Sequence, residues 1–270
     1  MVDKIIQEYS IKCSVIDKFT TFFQRSLYSN QDVLNYCVNR NINKESLERF
    51  RIGYDPGVIA LQNFIDEEKF DVNLLTELGI LTENTDSSYY DKFSKRIIFP
   101  ILDLKGNPIA FSGRVWKKGD ERCKYITSNL SILYQKSLTL YGLYQALSFI
   151  KQYNLVVIVE GNIDVISCYS KGLNCIVALC GTAFMEDHLL LLKQFTNRFI
   201  FCQDNDSAGD KSISRIHKLV DQRQDIKVGY LSLKDIKCDS ELKIKDLDDF
   251  VQIYDISLVI DAINQLIEIM

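Results

Sequence analysis

The spacing of hydrophobic residues predicts two kinds of structure along this chain. In the first third, apolar residues recur every three or four positions, the period of an amphipathic helix. One such set predicts a first helix and contains Val15, Phe19, Phe22, Phe23 and Leu27. Another predicts a second helix and contains Val33, Leu34, Cys37 and Val38. A further short helix is predicted over residues 43–50, ending near Gly53 and Pro56.

A different pattern begins near Arg96. Two short apolar runs, at 97–101 and 109–111, flank the turn sequence Lys105-Gly106-Asn107, and the second run leads to Gly113 and Arg114. Two β-rich runs around a glycine-containing turn predict a β-hairpin. We therefore expect residues 1–150 to form a mixed α+β subdomain.

After residue 153, short apolar strands alternate with amphipathic helices. Strands are predicted at 155–159, 175–179, 199–202 and 227–231, and helices at 163–170, 186–194 and 207–220. This alternation predicts an α/β fold with a mainly parallel sheet flanked by helices. Ligands bind such sheets beyond the carboxyl ends of the strands, where Glu160, Gly181 and Asp204 lie.

Acidic residues follow the predicted strands in three groups. They are Glu160 and Asp164; Asp204 and Asp206; and Asp246, Asp248 and Asp249. Taken singly, each group has a structural explanation: Asp206 as a helix N-cap, Asp164 as a first-turn acid, and 246–249 as a capping run. Taken together at one sheet edge, so many carboxylates would repel one another, and a divalent cation such as Mg²⁺ or Mn²⁺ would relieve the repulsion.

The charge distribution is uneven along the sequence. The 270-residue chain carries a formal charge of −4, yet nine Lys or Arg residues and three acids lie in residues 92–124, so this window is +6 and the rest is −10. A solvated basic face would explain this, and so would a site where polyanion, metal and carboxylates meet. Trp116, beside Lys117 and Lys118, would stack on a base or simply pack.

The remaining composition narrows the class of protein. Eight scattered cysteines without a CxxC pair, and two histidines, predict neither a disulfide framework nor structural zinc. His188 and His217 lie on predicted helices away from the strand ends, so we expect surface or core positions for them. Without a signal-like N-terminus or a long apolar run, we expect a soluble cytoplasmic protein with no membrane partner.

Several segments resemble, in order, the DnaG-type bacterial primase catalytic core with its Toprim domain. They are NRNINKESLERFRIGYDPG, LGILTENTDSSYYDKFSKRIIFPILDLKGNPIAFSGR, KYITS, LYQKSLTLYGLYQAL, CGTAFMEDHLLLL and QDNDSAG. EGNID and DND match the two acidic Toprim motifs, and the resemblance covers roughly residues 20–255. It implies an N-terminal subdomain over 1–150, a Toprim catalytic domain over 151–255 and a C-terminal helix over 256–270.

The resemblance implies roles for individual residues. Catalytic roles fall to Glu160, Asp164, Asp204 and Asp206, with Asp164 supporting the ligands rather than binding metal. Two or more Mg²⁺ or Mn²⁺ ions would be bound by Glu160, Asp204, Asp206, Asp246 and Asp248. The expected contacts to nucleic acid or nucleotide are Arg96, Arg114, Lys124, Tyr125 and Lys136.

Three positions depart from the family pattern. Leu247 replaces the proline usual between the acids of the third motif, here Asp246 and Asp248. Asn205 replaces the glycine of DGDxAG, and Ser137 replaces the glycine that usually follows Lys136.

The implied function is synthesis of RNA primers from nucleoside triphosphates on single-stranded DNA, during replication. No zinc module or helicase-binding domain is recognisable in the sequence. We expect either that a replicative helicase and a separate zinc-module protein supply these functions as partners, or that the protein has lost them. Two alternatives are a metal-dependent Toprim nuclease and a non-catalytic nucleic-acid-binding accessory subunit. A requirement for nucleoside triphosphates separates synthesis from nuclease activity.

Overall fold

The computed structural model describes residues 2–221, 223–236 and 244–270, and Cys238 lies outside them. The chain divides into two compact units. The N-terminal unit comprises the chain up to Asn39 together with Asn43–Gln135, and the C-terminal unit comprises Arg40–Ile42 and the chain from Lys136 onward. The division of function at residue 150 stays a prediction.

The N-terminal unit combines helices with antiparallel strands, as its sequence predicts. Its helices are α1 (Val2–Tyr28), α2 (Gln31–Asn39), α3 (Lys44–Arg49), α4 (Val58–Glu68) and α5 (Val72–Glu77). Its strands are β1 (Gly53–Tyr54), β2 (Leu81–Glu83), β3 (Tyr89–Asp91), β4 (Ile97–Leu102), β5 (Pro108–Arg114) and β6 (Tyr125–Thr127). One sheet has the order β1-β4-β5-β6, and β2 pairs with β3.

Local side-chain bonds set the ends of the predicted elements. Asn43 caps α3, because its side chain accepts the Ser46 N–H. In the β4–β5 hairpin, Asp103 Oδ1 accepts the N–H groups of Lys105 and Asn107, each at 2.8 Å. Gly106 supplies the positive φ of 87° that this turn needs.

Aromatic packing joins α1 to the sheet in the core of the N-terminal unit. Phe19 and Phe23 on α1 are almost completely buried, and the Phe23 ring meets that of Phe111 on β5 edge to face at 5.4 Å. Gly53 of β1 allows the close approach, because a Cβ there would lie 2.5 Å from Phe23 Cβ. The helical stripe in the sequence is thus the face that covers the sheet.

The C-terminal unit contains the predicted parallel sheet. Its strands are β7 (Leu140–Tyr141), β8 (Val156–Val159), β9 (Ile176–Leu179), β10 (Arg198–Phe201) and β11 (Lys227–Tyr230). Its helices are α6 (Leu143–Tyr153), α7 (Asn162–Ser170), α8 (Glu186–Lys193), α9 (Ser207–Val220), α10 (Leu247–Ile253) and α11 (Ile256–Ile269). The sheet order is β11-β10-β8-β9-β7, with every pairing parallel except β7 with β9. The predicted fold class is confirmed.

Strand register brings the acidic residues that follow β8 and β10 to one edge of this sheet. Phe201 on β10 lies opposite Ile158 on β8, so the chain after each strand emerges at the same carboxyl edge. Glu160 follows β8 directly, and Asp204 lies three residues after β10 ends. All four residues of β8 are buried, so side chains pack against both faces of this strand and hold it in place.

Two features of the composition can be followed in the structure. The seven cysteines in the described residues are all free thiols. Within the part of the chain that the structure describes, no helix is both long and apolar enough to cross a bilayer.

A buried pair of carboxyl groups lies in the N-terminal unit. Asp55 is fully buried and Asp91 is 7% exposed, and one oxygen of each accepts a backbone N–H, from Gly57 and Phe93 respectively. The other oxygen, Oδ2, has no hydrogen-bond donor among the described residues. Burial, reinforced by the charge of Asp91, raises the pKa of Asp55 well above its usual range, and burial raises the pKa of Asp91. The two carboxyl groups lie within hydrogen-bond reach of each other, and their mutual hydrogen bond raises the pKa of Asp55 further while offsetting part of the rise that burial causes for Asp91, as expected for one proton held between them.

We predict that this pair makes stability fall as pH rises. Its contribution is complete below the ordinary aspartate pKa of 3.8 and is lost as pH rises through the higher folded-state pKa. Asp55→Asn keeps a permanent N–H donor for Asp91. Its free energy of unfolding should therefore fall less than that of wild type between about pH 5 and about pH 8, and the two falls should differ by about 1 kcal/mol. Urea denaturation measures the difference.

The exposed Asp66 on α4 provides the matched control for this experiment. Asp66→Asn should keep the wild-type dependence on pH. Parallel curves for wild type and Asp55→Asn would contradict the shared proton.

Candidate active site

Glu160 stands at the carboxyl end of β8, next to the segment that follows β10. Its Oε1 lies 3.4 Å from the backbone nitrogen of Asp204, which donates a hydrogen bond to it. Burial raises the pKa of Glu160, and the negative charges of Asp204 and Asp206 raise it further. The fold therefore concentrates negative charge here, as the sequence predicts for this edge.

The DND segment has both a structural and an electrostatic role. Asp206 caps α9, because its Oδ1 accepts the N–H groups of Ala208 at 2.9 Å and Gly209 at 3.1 Å. These backbone hydrogen bonds lower its pKa, so the carboxylate stays ionised. Gly209 is required by close approach, since a Cβ there would lie 2.0 Å from the carbonyl oxygen of Asp204.

Lys245 inserts its ammonium group between the two aspartates of this segment. Its Nζ is 2.5 Å from Asp204 Oδ2 and 3.7 Å from Asp206 Oδ2. The hydrogen bond with Asp204 raises the pKa of Lys245. Asn205, the departure from the family pattern, ties the two segments together by donating its backbone N–H to Lys245 O at 2.7 Å.

Asp164 lies beneath this surface as a buried connector. Its Oδ2 accepts the N–H of Gly161 at 3.1 Å and its Oδ1 accepts the N–H of Asp248 at 2.8 Å. Burial, with the charge of Asp246 next, raises its pKa well above the usual range. Gly161 has an ordinary φ of −108°, and glycine is needed because a Cβ would lie 2.4 Å from Asp164 Oδ2. These contacts favour the predicted supporting role for Asp164.

Asp248 is held by protein donors on both oxygens. Ser167 donates to its Oδ1 at 2.6 Å, and Arg40 donates to its Oδ2 at 2.7 Å. The sequence-based expectation was that Asp248 binds metal together with Asp246. The observed contacts instead favour a supporting role for Asp248, because metal binding would require it to give up a buried ion pair.

Asp246 is half-buried at the start of α10, which it caps by accepting the Asp249 N–H at 2.9 Å. Burial raises its pKa, and the neighbouring charges of Asp249 and Asp204 also raise it. One oxygen from each of Asp246, Asp248 and Asp249 lies within 4.8 Å of the other two. An aspartate cluster is therefore present at the third acidic motif, although the oxygens of Asp248 are already bound.

The predicted basic residues of the N-terminal unit differ in their environments. Arg114 is 4% exposed, and its guanidinium carbon lies 5.9 Å from the ring centre of Tyr36 and 5.4 Å from that of Tyr125. No hydrogen-bond partner for Arg114 Nε occurs among the described residues. Lys124 Nζ lies 5.9 Å from the Tyr125 ring centre. Together these residues form a cationic and aromatic cluster.

Arg96 is fixed by the backbone instead. It is 3% exposed, and its NH1 donates to the carbonyl oxygen of Cys123 at 2.8 Å, with those of Gly113 and Lys124 at 3.4 Å. These bonds hold the segment between β5 and β6. They favour a structural role for Arg96, and its contact with nucleic acid stays a prediction.

In the C-terminal unit, the histidine on α8 anchors the segment that carries Lys136. His188 is fully buried, and its Nδ1 accepts the Met185 N–H at 3.1 Å. Its Nε2 must therefore carry the proton and donate it to the carbonyl oxygen of Lys136 at 2.8 Å. Burial lowers the pKa of His188, in keeping with a neutral ring. His217 stacks on Tyr230 with ring centres 4.3 Å apart.

Trp116 packs within the N-terminal unit. Its ring meets those of Tyr36 and Tyr54 edge to face, at 6.0 Å and 6.2 Å, while Lys117 Nζ lies 5.4 Å from its centre. These contacts favour packing over base stacking as the reason for the residue.

Three residues of the site were missed from the sequence. Lys245 directly precedes the third acidic motif, so its position offered a signal. Ser167 lies about one helical turn after Asp164 on α7, which puts it on the same side of the helix but does not by itself indicate a role in the site. Arg40 lies 208 positions from Asp248 and offered none.

Comparisons with known proteins place both halves in one family. A family model described as the DNA primase catalytic core, N-terminal domain, matches residues 22–147, and a Toprim-like model matches residues 157–251. The DNA primase of Legionella pneumophila is 36% identical over 206 residues, which are 75% of this chain and 35% of that protein. The chain belongs to the DnaG-type primase family. It spans about a third of the length of the curated relatives it matches.

Solved structures agree with this membership. The zinc-binding and RNA polymerase domains of Aquifex aeolicus primase match with a TM-score of 0.82 and 29% identity, covering 95% of this chain and 61% of that one. A DnaG primase catalytic domain bound to single-stranded DNA matches with a TM-score of 0.83 and 28% identity, covering 96% and 82%. The residues described above therefore lie on the fold of a DnaG-type catalytic core.

We predict that the Arg40–Asp248 pair stabilises the C-terminal unit. Arg40→Met leaves a buried carboxylate without its cation, so the free energy of unfolding should fall by about 2 kcal/mol. The side chain of Asp248 is 5% exposed and that of Arg40 is 32% exposed. Chemical denaturation followed by circular dichroism measures the loss.

Arg223 is the control, because its side chain is 28% exposed but its partner, Glu186, is 47% exposed. Arg223→Met should cost less than about 1 kcal/mol. Adding Asp248→Asn to Arg40→Met should recover part of the loss, because the uncompensated charge is removed. Strictly additive losses would argue against the pair.

Proposed function

We propose that this chain is the catalytic core of a primase that synthesises RNA primers on single-stranded DNA by metal-dependent nucleotidyl transfer. The convergence of Glu160 with the DND segment carries the proposal: a glutamate at the end of β8 accepts the backbone N–H of Asp204 from beyond β10. Membership of the DnaG-type family, and the single-stranded DNA bound by one structural relative, support it.

The donor set fits a hard divalent cation. Glu160, Asp204 and Asp206 offer carboxylate oxygens, the ligand type that Mg²⁺ and Mn²⁺ prefer. The pKa of Glu160 is raised by burial and by the two aspartates, so a cation would relieve an existing cost. Asp246 is a further candidate ligand, whereas Asp164 and Asp248 support the site from below.

Each group of residues has a defined task in this proposal. A bound Mg²⁺ or Mn²⁺ would lower the pKa of the attacking 3′-hydroxyl and offset charge on the triphosphate. Asp206 stays ionised because α9 donates two N–H groups to it. Arg114 offers a largely dehydrated donor fork for a phosphate, while Lys124 and Lys136 act as point charges.

Incorporation of labelled nucleoside triphosphates on single-stranded templates tests the activity. With Mg²⁺ or Mn²⁺, wild type should extend products, with zinc-module and helicase proteins added if needed. Asp204→Asn should reduce the rate at least roughly a hundredfold, because a ligand charge is lost where charge develops. Asp261→Asn on α11 is the control, because this exposed aspartate lies outside the acidic site.

The same assay separates the alternatives. Cleavage of DNA without nucleoside triphosphates would indicate a nuclease. DNA binding without incorporation or cleavage, unchanged by Glu160→Gln, would indicate an accessory binding protein.

We predict that Arg114 contributes to binding of single-stranded DNA. Arg114→Gln should weaken binding of a fluorescent oligonucleotide roughly tenfold and reduce the slope of log affinity against log salt by about 0.7, the value for one lost phosphate contact. Fluorescence anisotropy over a salt series measures both quantities. An unchanged slope would show that Arg114 does not contact phosphate.

Lys105→Gln is the control, because it removes the same charge from the exposed β4–β5 turn. It should leave affinity within about twofold of wild type. Circular dichroism should be compared for both variants, because Arg114 is buried.

A further inference from the structure

Lys245 is placed where a cation would be expected among the acidic residues. Its Nζ is 2.5 Å from Asp204 Oδ2 and 3.7 Å from Asp206 Oδ2, so one ammonium group serves both aspartates of the DND segment. The side chain of Asp204 is 17% exposed, while that of Lys245 is 53% exposed. The acceptor is thus sheltered and the cation reaches it from the solvent side.

The backbone holds this lysine at the site. Asn205 donates its backbone N–H to Lys245 O at 2.7 Å and its side-chain Nδ2–H to Ile244 O at 3.2 Å. The residue between the two aspartates therefore fixes the main chain from which the ammonium group extends. Such tethering keeps the local concentration of the cation high, whatever the ions in solution.

The charge around Nζ exceeds what one lysine can neutralise. Glu160 and Asp246 lie close enough to Asp204 that its charge raises the pKa of both. An ammonium group supplies one positive charge and a divalent ion supplies two. The lysine therefore relieves the repulsion in part, and a divalent ion would relieve more of it.

Lysine and metal would compete for the same oxygen. Asp204 Oδ2 accepts the ammonium group at hydrogen-bond distance, and a metal ion bound there would lie against a like charge. Binding of the ion therefore requires Nζ to move away. The lysine side chain is 53% exposed, so it can turn toward solvent to do so.

We infer that Lys245 is a tethered cation that occupies the Asp204–Asp206 carboxylates in the metal-free protein and weakens divalent-metal binding there. The inference rests on the proposed metal site and adds the residue that sets its affinity. In the metal-free state Lys245 stabilises the carboxylate cluster, and on metal binding it is displaced. An ordinary exposed ion pair would contribute little to either property.

Binding of Mn²⁺ tests the inference without an activity assay. Free Mn²⁺ is followed by electron paramagnetic resonance during titration of wild type, Lys245→Met, Lys245→Arg and Lys227→Met. Lys245→Met should bind Mn²⁺ roughly threefold to tenfold more tightly, because a competing charge is lost. Lys245→Arg keeps the charge and should stay within about twofold of wild type.

Lys227→Met is the matched control, since this exposed lysine lies at the start of β11, the amino end of a strand parallel to β10. It removes one positive charge from the unit at the opposite sheet edge and should not alter Mn²⁺ affinity. A general effect of net charge would affect both methionine variants equally, which would overturn the inference.

Thermal unfolding gives a second readout. In EDTA, Lys245→Met should melt below wild type, and saturating Mn²⁺ should raise its melting temperature by more than it raises that of wild type. Unchanged or weaker Mn²⁺ binding by a folded Lys245→Met protein would overturn the inference while leaving the metal site in place. Absence of Mn²⁺ binding by wild type would overturn the proposed function and the inference together.

Discussion

The geometry of the acidic site depends on the buried carboxylate of Asp164. It accepts one N–H from the turn after β8 and one from the start of α10, two segments far apart in the sequence. Because Asp164 is almost completely buried, neither hydrogen bond competes with water, and losing either would leave a buried polar group unsatisfied. This pair of hydrogen bonds sets the distance between the first and third acidic motifs.

The site is layered by burial. Asp164 and Asp248 lie inside and are saturated by backbone, hydroxyl and guanidinium donors, whereas Glu160, Asp204, Asp206 and Asp246 retain partly exposed carboxylates. The acidic residues of one cluster thus differ in how available their oxygens are, and the supporting and ligand-binding roles proposed for them rest on that difference. The division follows from hydrogen bonding: an oxygen that already has a strong buried donor gains little from a metal, and one facing other carboxylates gains much.

In the N-terminal unit, two buried arginines likewise differ in what their guanidinium groups contact. Arg96 and Arg114 are almost equally buried, and the Nε of each has no hydrogen-bond partner among the described residues. They differ because Arg96 NH1 donates to backbone carbonyls, whereas the Arg114 guanidinium lies near the rings of Tyr36 and Tyr125. A guanidinium group beside aromatic rings suits a phosphate contact, and one bonded to backbone carbonyls suits a loop anchor. Sequence motifs make the two arginines look equivalent, and their surroundings distinguish them.

By itself, the sequence determined the fold class, the main helices and strands of each half, and the position of the acidic residues along the chain. The hydrophobic periods at residues 15–27 and 155–159 are local properties, and acids placed directly after buried strands must emerge at the carboxyl edge of a parallel sheet. Short strands such as β1 and β7 escaped prediction, because two residues carry no measurable period. Tertiary structure alone decided which oxygens are already occupied. The partners of Asp248 and Asp204 are Arg40 and Lys245, 208 and 41 positions away, and hydrogen bonds over such separations depend on packing that no local pattern records.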